Sequence, residues 1–184
     1  MAVREEFAGV YEEHFDAVFG YLCRRVGRAE GEDLAAQTFA LALRDYDQYD
    51  TSRGSRRAWL YGIAANVLRG HRRSEERRLR MLANTGVDPL VDEPGQVEER
   101  VDAQRATRTL AQVLASLAEG DREVLLLNAW AGLTSEEIGH ALEIPAGTVR
   151  SRLNRSRRKL QDALSASDQA LETVPAQEAV DGCS

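Results

Sequence analysis

Apolar residues recur every three or four positions along most of this chain. Phe7, Val10, Tyr11, Phe15, Val18, Phe19, Leu22 and Val26 predict an amphipathic helix over 4–27 that stops at Gly27. A second helix follows over about 30–46, with Leu34, Thr38, Leu41 and Ala42 turned inward. Its acidic start (Glu30, Glu32, Asp33) suits the positive end of a helix dipole. The pattern breaks at 47–54, DQYDTSRG, whose Asp, Ser and Gly content predicts a loop. From about Ser55 to Arg73 and beyond, Leu60, Ile63, Val67 and His71 form a core face with Trp59 at its edge. Ala65, Asn66, Arg69, Arg72 and Arg73 fall on the opposite side.

Residues 84–97, NTGVDPLVDEPGQV, lack helical periodicity and read as a linker. The helical spacing resumes near Glu98 with Val101, Leu110, Val113, Leu114 and Leu117. A helix over about 121–130 is apolar nearly all round through Val124, Leu125, Leu126 and Leu127, so it belongs at a domain centre. Gly132 ends it. Thr134 followed by Glu137 is a capping box that starts a helix carrying Ile138 and Leu142. Ile144 and Pro145 make a turn into a last helix over about 146–164. Val149, Leu153, Ser156 and Leu160 line one face of it; Thr148, Ser151, Asn154, Arg155 and Arg158 lie opposite, flanked by Arg150, Arg152, Arg157 and Lys159. From Ser165 the chain is small and acidic and reads as a disordered tail. The expected fold is all-α, with two small helical domains (1–83 and 98–164) joined by a flexible acidic linker (84–97), the second being a helix-turn-helix, and a tail over 165–184.

Charge changes this picture. The net charge of −6 argues against a nucleic-acid binder until its distribution is considered. Residues 1–70 carry −2, 71–85 carry +3, 86–104 carry −5, 105–163 carry +2 and 164–184 carry −4. Acid is gathered in the linker and tail, and cations on two helices, and focused patches matter more for phosphate binding than the total. An apolar content of 43% supports a buried core. No apolar run is long enough for a membrane span, and the N-terminus lacks a secretory signal, so a cytoplasmic protein is expected. Cys23 and Cys183 have no metal or disulfide spacing; Cys23 reads as a small core residue.

The stretch Gly132–Leu160 carries the clearest chemistry. Arg150, Arg152, Arg155, Arg157, Arg158 and Lys159 fall on one helix behind a short helix and a turn. A major groove accepts such a helix, with arginines bonding guanine edges or phosphates and Thr148 and Ser151 close to phosphates or bases. The plainer reading is a solvated cationic surface; the capping box, the Ile-Pro turn and the apolar opposite face favour DNA. For the stripe of Asn66, Arg69, Arg72 and Arg73, a nucleic-acid contact and a solvated face stand level. Catalysis finds no support. His14, His71 and His140 are scattered, and no phosphate loop, nucleophile elbow or metal-ligand spacing occurs. No cofactor, metal or catalytic residue is expected.

GEDLAAQTFALAL, RAWLYGIAANVLRGHRR and DREVLLLNAWAGLTSEEIGHALEIPAGTVRSRLNRSRRKL, in this order and around this linker, resemble sigma factors of the sigma-70 family, in the compact extracytoplasmic-function (ECF) group. The resemblance covers about 5–74 and 105–163. It implies a promoter-specificity subunit of bacterial RNA polymerase that binds core enzyme through the clamp coiled coil and flap, recognises −35 and −10 promoter elements, and is a monomer when free of partners. Asp33, Leu34, Gln37, Thr38 and Phe39 match the clamp-binding pattern, with Ala36-Gln37 where many relatives carry Gln and Glu. The loop Tyr49–Arg57, including Ser52, Arg53 and Arg56, matches the pocket that captures a flipped −10 base. Trp59 would stack on DNA or pack under that loop. Asn66, Arg69 and Arg73 would face the −10 strand. Arg150, Ser151, Arg152, Asn154 and Arg155 match −35 contact positions, while Arg158 and Lys159 would contact phosphates or stay solvated. Leu117-Ala118 replaces the Leu-Pro that often starts the next helix in relatives. The resemblance also implies a linker threading the polymerase and an anti-sigma partner. Two rivals are weaker: a polymerase-independent helix-turn-helix regulator leaves the first two motifs unexplained, and a nucleic-acid enzyme lacks a catalytic constellation.

Overall fold

The computed structural model describes residues 2–84 and 110–172, with side chains over 4–52, 54–77 and 110–165. Most of the expected linker and the start of the helix expected near Glu98 lie outside these residues. Among the described residues every regular element is helical. The order is α1 (Ala2–Val26), α2 (Arg28–Arg44), two short 3₁₀ turns (Tyr46–Gln48 and Thr51–Arg53), α3 (Arg56–Asn84), α4 (110–116), α5 (Glu119–Ala129), α6 (Ser135–Leu142) and α7 (Ala146–Glu172).

Local chemistry explains most of the boundaries. Gly27 takes φ 90° and closes α1, so α2 begins at the next residue. Asp50 accepts hydrogen bonds from the N–H and the hydroxyl of Ser52 at 2.9 and 2.7 Å, which tightens the second 3₁₀ turn. The α5 helix starts at Glu119, two residues before the sequence expectation, with Ala118 in an extended cap conformation. The capping box of α6 is formed: the Thr134 hydroxyl accepts from Glu137 N–H at 3.2 Å, and Glu137 accepts from Thr134 N–H at 3.0 Å. Glu143 then takes the left-handed conformation, φ 55°, and Ile144-Pro145 lead into α7. The α7 helix passes the expected end near Leu164 and runs to Glu172, into the stretch read as tail. Ala166, Gln169, Ala170, Leu171 and Glu172 are good helix formers, and no glycine or proline interrupts them.

The core joins both halves of the chain. Val10, Val18, Leu22, Leu34, Phe39, Leu60 and Leu68 belong to the same buried cluster as Val124, Leu127, Leu133, Ile138 and Val149. Helix α3 packs against α1 and α2 and also against α6. That second contact corrects one expectation. Ala65, assigned to the outer stripe of α3, is 1% exposed. With a neighbour on each side, the middle of α3 keeps a polar edge at Asn66 and the half-buried Arg69, and Arg73 is exposed further along. As expected, the run Val124–Leu127 of α5 is buried throughout.

The capping box yields a stability prediction. Thr134→Ala removes a helix N-cap worth about 1 kcal/mol and should lower Tm by about 2–4 °C, readable by circular dichroism. The Thr134 backbone N–H also holds the Glu137 carboxyl below its ordinary value of 4.5. The stability from that shift is present above the unfolded carboxyl's pKa and is lost as pH falls through the lower folded value. Acid titration of Glu137→Gln should therefore show a smaller loss across that window than the parent chain.

Candidate nucleic-acid interface

Two surfaces have the composition to meet nucleic acid, one on α7 and one where α3 meets the loop before it. On α7, Val149, Leu153 and Ser156 are buried, which turns Arg150, Ser151, Asn154, Arg155, Arg157, Arg158 and Lys159 outward. Thr148 and Arg152 are half-buried. Neighbouring acids hold several of these cations in place. Asp121, in the first turn of α5 and 4% exposed, accepts two hydrogen bonds from Arg155 Nη1 at 3.0 and 3.2 Å. Arg152 Nε lies 4.0 Å from the same carboxylate. Ser156 donates to the Asp121 carbonyl at 3.3 Å, fixing α7 on α5. Arg150 meets Glu136 at 2.9 Å, Arg157 donates to Asn128 at 2.9 Å, and Arg158 stands 4.0 Å from Asp162. The Arg150 and Arg158 pairs are exposed; such pairs contribute little and exchange readily for a phosphate. The Ser151 hydroxyl donates back to the Gly147 carbonyl at 2.8 Å. Sequence reasoning missed Asp121 as the organiser because an acid in a first turn already has a sufficient explanation in the helix dipole.

The second surface is aromatic. The Tyr49 ring lies 5.1 Å from Trp59 and 6.4 Å from Tyr46, and Trp59 lies 6.2 Å from Tyr46. Trp59 is half-buried and packs under the loop. Tyr49 Oη donates to the Gly54 carbonyl at 2.8 Å, and Tyr46 Oη to Glu6 at 3.0 Å. Desolvation pushes both phenols above their ordinary pKa, so they stay neutral donors. Arg56 is drawn to Glu6 at 2.6 Å. Beside this stack lies a cavity of about 300 Å³, lined by Tyr49, Ser55, Trp59 and Asn66 from the first half and by His140 and Glu143 from the second. Asn66 is exposed and accepts from Arg69 at 3.1 Å; Arg73 is exposed further along α3. Ser52 is exposed, and the side chain of Arg53 lies outside the described residues.

On α2 the five sequence-selected residues divide. Leu34, Thr38 and Phe39 are buried, and the Thr38 hydroxyl is spent on the Leu34 carbonyl at 2.7 Å. These three support the helix from within. Asp33 and Gln37 remain on the surface, beside Glu32, Ala36 and Ala40.

A third cluster was not anticipated. Glu123 on α5 is 7% exposed and reaches α1. Its carboxylate accepts from Tyr21 Oη at 2.7 Å and from Arg25 at 2.8 and 3.2 Å. Arg25 also donates to Tyr21 Oη at 2.6 Å. Burial and the Glu123 charge push the Tyr21 phenol well above its ordinary pKa. Burial pulls Arg25 down, but Tyr21 and Glu123 outweigh it and leave its pKa raised, so the guanidinium stays charged. Arg72 sits nearby with its pKa lowered by burial and by Arg25. One signal was available: a helix apolar nearly all round leaves an acid within it no route to solvent.

Comparison with known proteins gives the family. The family model for sigma-70 region 2 matches residues 10–78, and that for sigma-70 region 4 matches residues 107–160. The chain is 28% identical over 169 residues to the ECF RNA polymerase sigma factor SigW of Bacillus subtilis, covering 88% of this chain and 90% of SigW. It is 30% identical over 165 residues to the RNA polymerase sigma factor NccH of Alcaligenes xylosoxydans xylosoxydans, covering 81% and 88%. Its fold is similar to that of the sigma factor RpoE of Bartonella quintana, solved with the anti-sigma factor NepR. That match has a TM-score of 0.65 and 20% identity, and covers 88% of this chain and 98% of the other. Two successive region models over most of its length, and full-length relatives of the same kind, establish that the chain belongs to the sigma-70 family of RNA polymerase sigma factors, in its ECF group.

Proposed function

We propose that this chain is a promoter-specificity subunit of bacterial RNA polymerase, which brings the core enzyme to a promoter and helps to open it. The observation that carries this reading is the presence in one chain of two unlike surfaces. A cationic helix-turn-helix face suits duplex DNA, and an aromatic pocket at the start of α3 suits an unstacked base. The chain catalyses nothing itself; the polymerase does the chemistry. Transcription occurs in the cytoplasm, where the chain is expected to act, and no described helix is long and apolar enough to cross a membrane.

Residue roles follow from exposure and chemistry. Arg150, Arg152, Asn154 and Arg155 read the −35 element, with Thr148, Ser151 and Arg158 near the phosphates. Opening the −10 element requires unstacking, which costs a few kcal/mol per base; Tyr49 and the pocket beside Trp59 recover part of it by stacking. Asn66, Arg69 and Arg73 follow the strand along the polar edge of α3, and Ser52, Arg53 and Arg56 border the loop. Asp33 and Gln37 meet the clamp of core polymerase, while Leu34, Thr38 and Phe39 hold that helix in shape. An anti-sigma factor controls the chain, a reading supported by the solved complex of the RpoE relative with NepR.

Run-off transcription with purified core polymerase tests the whole reading: transcripts must depend on this chain and on a −35/−10 promoter. Tight promoter binding without core enzyme, together with no added transcripts, would sink it. Arg155→Ala should cost about 1–3 kcal/mol of −35 affinity and spare a promoter whose −35 element is irrelevant. By contrast, Asn66→Ala should leave the closed complex intact and slow opening, seen as reduced permanganate reactivity of −10 thymines. Asp33→Arg should weaken binding to core polymerase in a pull-down while leaving the melting temperature within a few degrees of the parent.

A further inference from the structure

Gly120 stands in the first turn of α5, where the backbone does not call for glycine: the turn is ordinary helix, and alanine forms helix more readily. The reason for it lies on α7. A Cβ at Gly120 would stand 2.8 Å from Arg152 Nη1, 3.1 Å from its Cζ and 3.5 Å from its Nη2. Ordinary contact begins at about 3.5 Å, so the guanidinium fills the place a side chain would take. Arg152 is in consequence the one half-buried cation of α7. Its side chain is 31% exposed, against 58% for Arg155 and 59% for Arg150. Asp121, the next residue, adds charge. Its carboxylate is bonded to Arg155 and leaves Arg152 Nε at 4.0 Å, close enough to attract but too far for a hydrogen bond. Among the described residues no side-chain hydrogen bond engages Arg152. Shape and field therefore set its position, while its five N–H donors stay available.

We propose that Gly120 is a positioning residue for −35 recognition: the seat it leaves on α5 fixes the height and direction of Arg152, and through them the choice of −35 sequence. The inference rests on the promoter reading above and names a specificity determinant within it. An arginine on an open helix surface samples many rotamers and meets whichever phosphate comes near. One laid against a neighbouring helix presents its fork in a single direction. Phosphate contacts bring affinity without sequence information, whereas a fork at fixed height matches one base edge. Filling the seat lifts the guanidinium off α5 into solvent. The freed cation keeps its charge, so attraction to any duplex persists, and what is lost is discrimination. Helix α5 itself loses nothing, because the atoms displaced are the far end of a flexible side chain.

The test is a double-mutant cycle in the full chain assembled with core polymerase: parent, Gly120→Ala, Arg152→Ala and the double variant. Each holoenzyme is titrated with a duplex bearing a promoter that depends on this chain, and with the same duplex after its −35 element is scrambled. The ratio of the two affinities measures discrimination. A well-made arginine–base contact corresponds to about tenfold, and Gly120→Ala should lower the ratio by that factor. Affinity for the scrambled duplex and the Tm of the free chain should be equal or higher. Beside Arg152→Ala the same substitution should change the ratio by less than about twofold, because its effect passes through the arginine. Arg152→Lys leaves α5 untouched and keeps the charge without the fork, and should lose discrimination as Gly120→Ala does. Undiminished discrimination in Gly120→Ala, or an equal loss with and without Arg152, overturns the proposal and leaves the promoter reading standing. A parent holoenzyme that gives no transcripts on any promoter, or treats the two duplexes alike, overturns that reading and the proposal with it.

Discussion

A carboxylate inside an apolar helix is a demand that the rest of the chain must meet. Glu123 sits next to the run Val124–Leu127, which is buried throughout, and so it is carried into the interior. Only a charged donor with further hydrogen bonding makes that tolerable. Helix α1 supplies both, Tyr21 and Arg25 lying one turn apart on the same face. Meeting the demand of α5 brings the N-terminal helices against the C-terminal ones, and the order of packing around α3 follows. The interaction is local in chemistry and global in effect.

The geometry of α3 shows what that arrangement costs in surface. One side joins α1 and α2, another receives α6, and the remaining edge is polar. An element with core on two sides is rigid, which suits a platform that must hold an aromatic stack at fixed spacing. The loop before it gains order from Asp50, Tyr49 and Gly54 rather than from length or composition.

The capping box, the Ile-Pro turn and the division of α7 into apolar and cationic faces were all legible in the residues, because each depends on neighbours within a turn or two. What escaped depends on partners far away in the chain. Ala65 looked like part of a solvated stripe, since alanine has no strong preference of its own and its burial is decided by a second helix. Helical spacing turned Leu34 and Thr38 inward in advance, but the burial of Phe39 next to them was not in that pattern. Arg25 and Glu123 are separated by 98 positions, and nothing in either local sequence points to the other. The clustering of the α7 arginines was legible, but the acid that orients Arg155 was not, because its helix position already accounted for it.

That acid has a consequence for how the α7 surface meets a duplex. Arg155 is bonded to Asp121 through one nitrogen, Nη1, which leaves other N–H groups of the guanidinium uncommitted to that carboxylate. Half-neutralised by a fixed negative charge, it exerts a weaker long-range pull on any stretch of polyanion. The bond also restrains the side chain, so less rotamer entropy is lost when it docks. Both effects weigh against indiscriminate adhesion and in favour of a base edge at the right height. On the proposed −35 face, Asp121 therefore acts as a filter, lowering affinity for DNA in general while preserving discrimination between sequences.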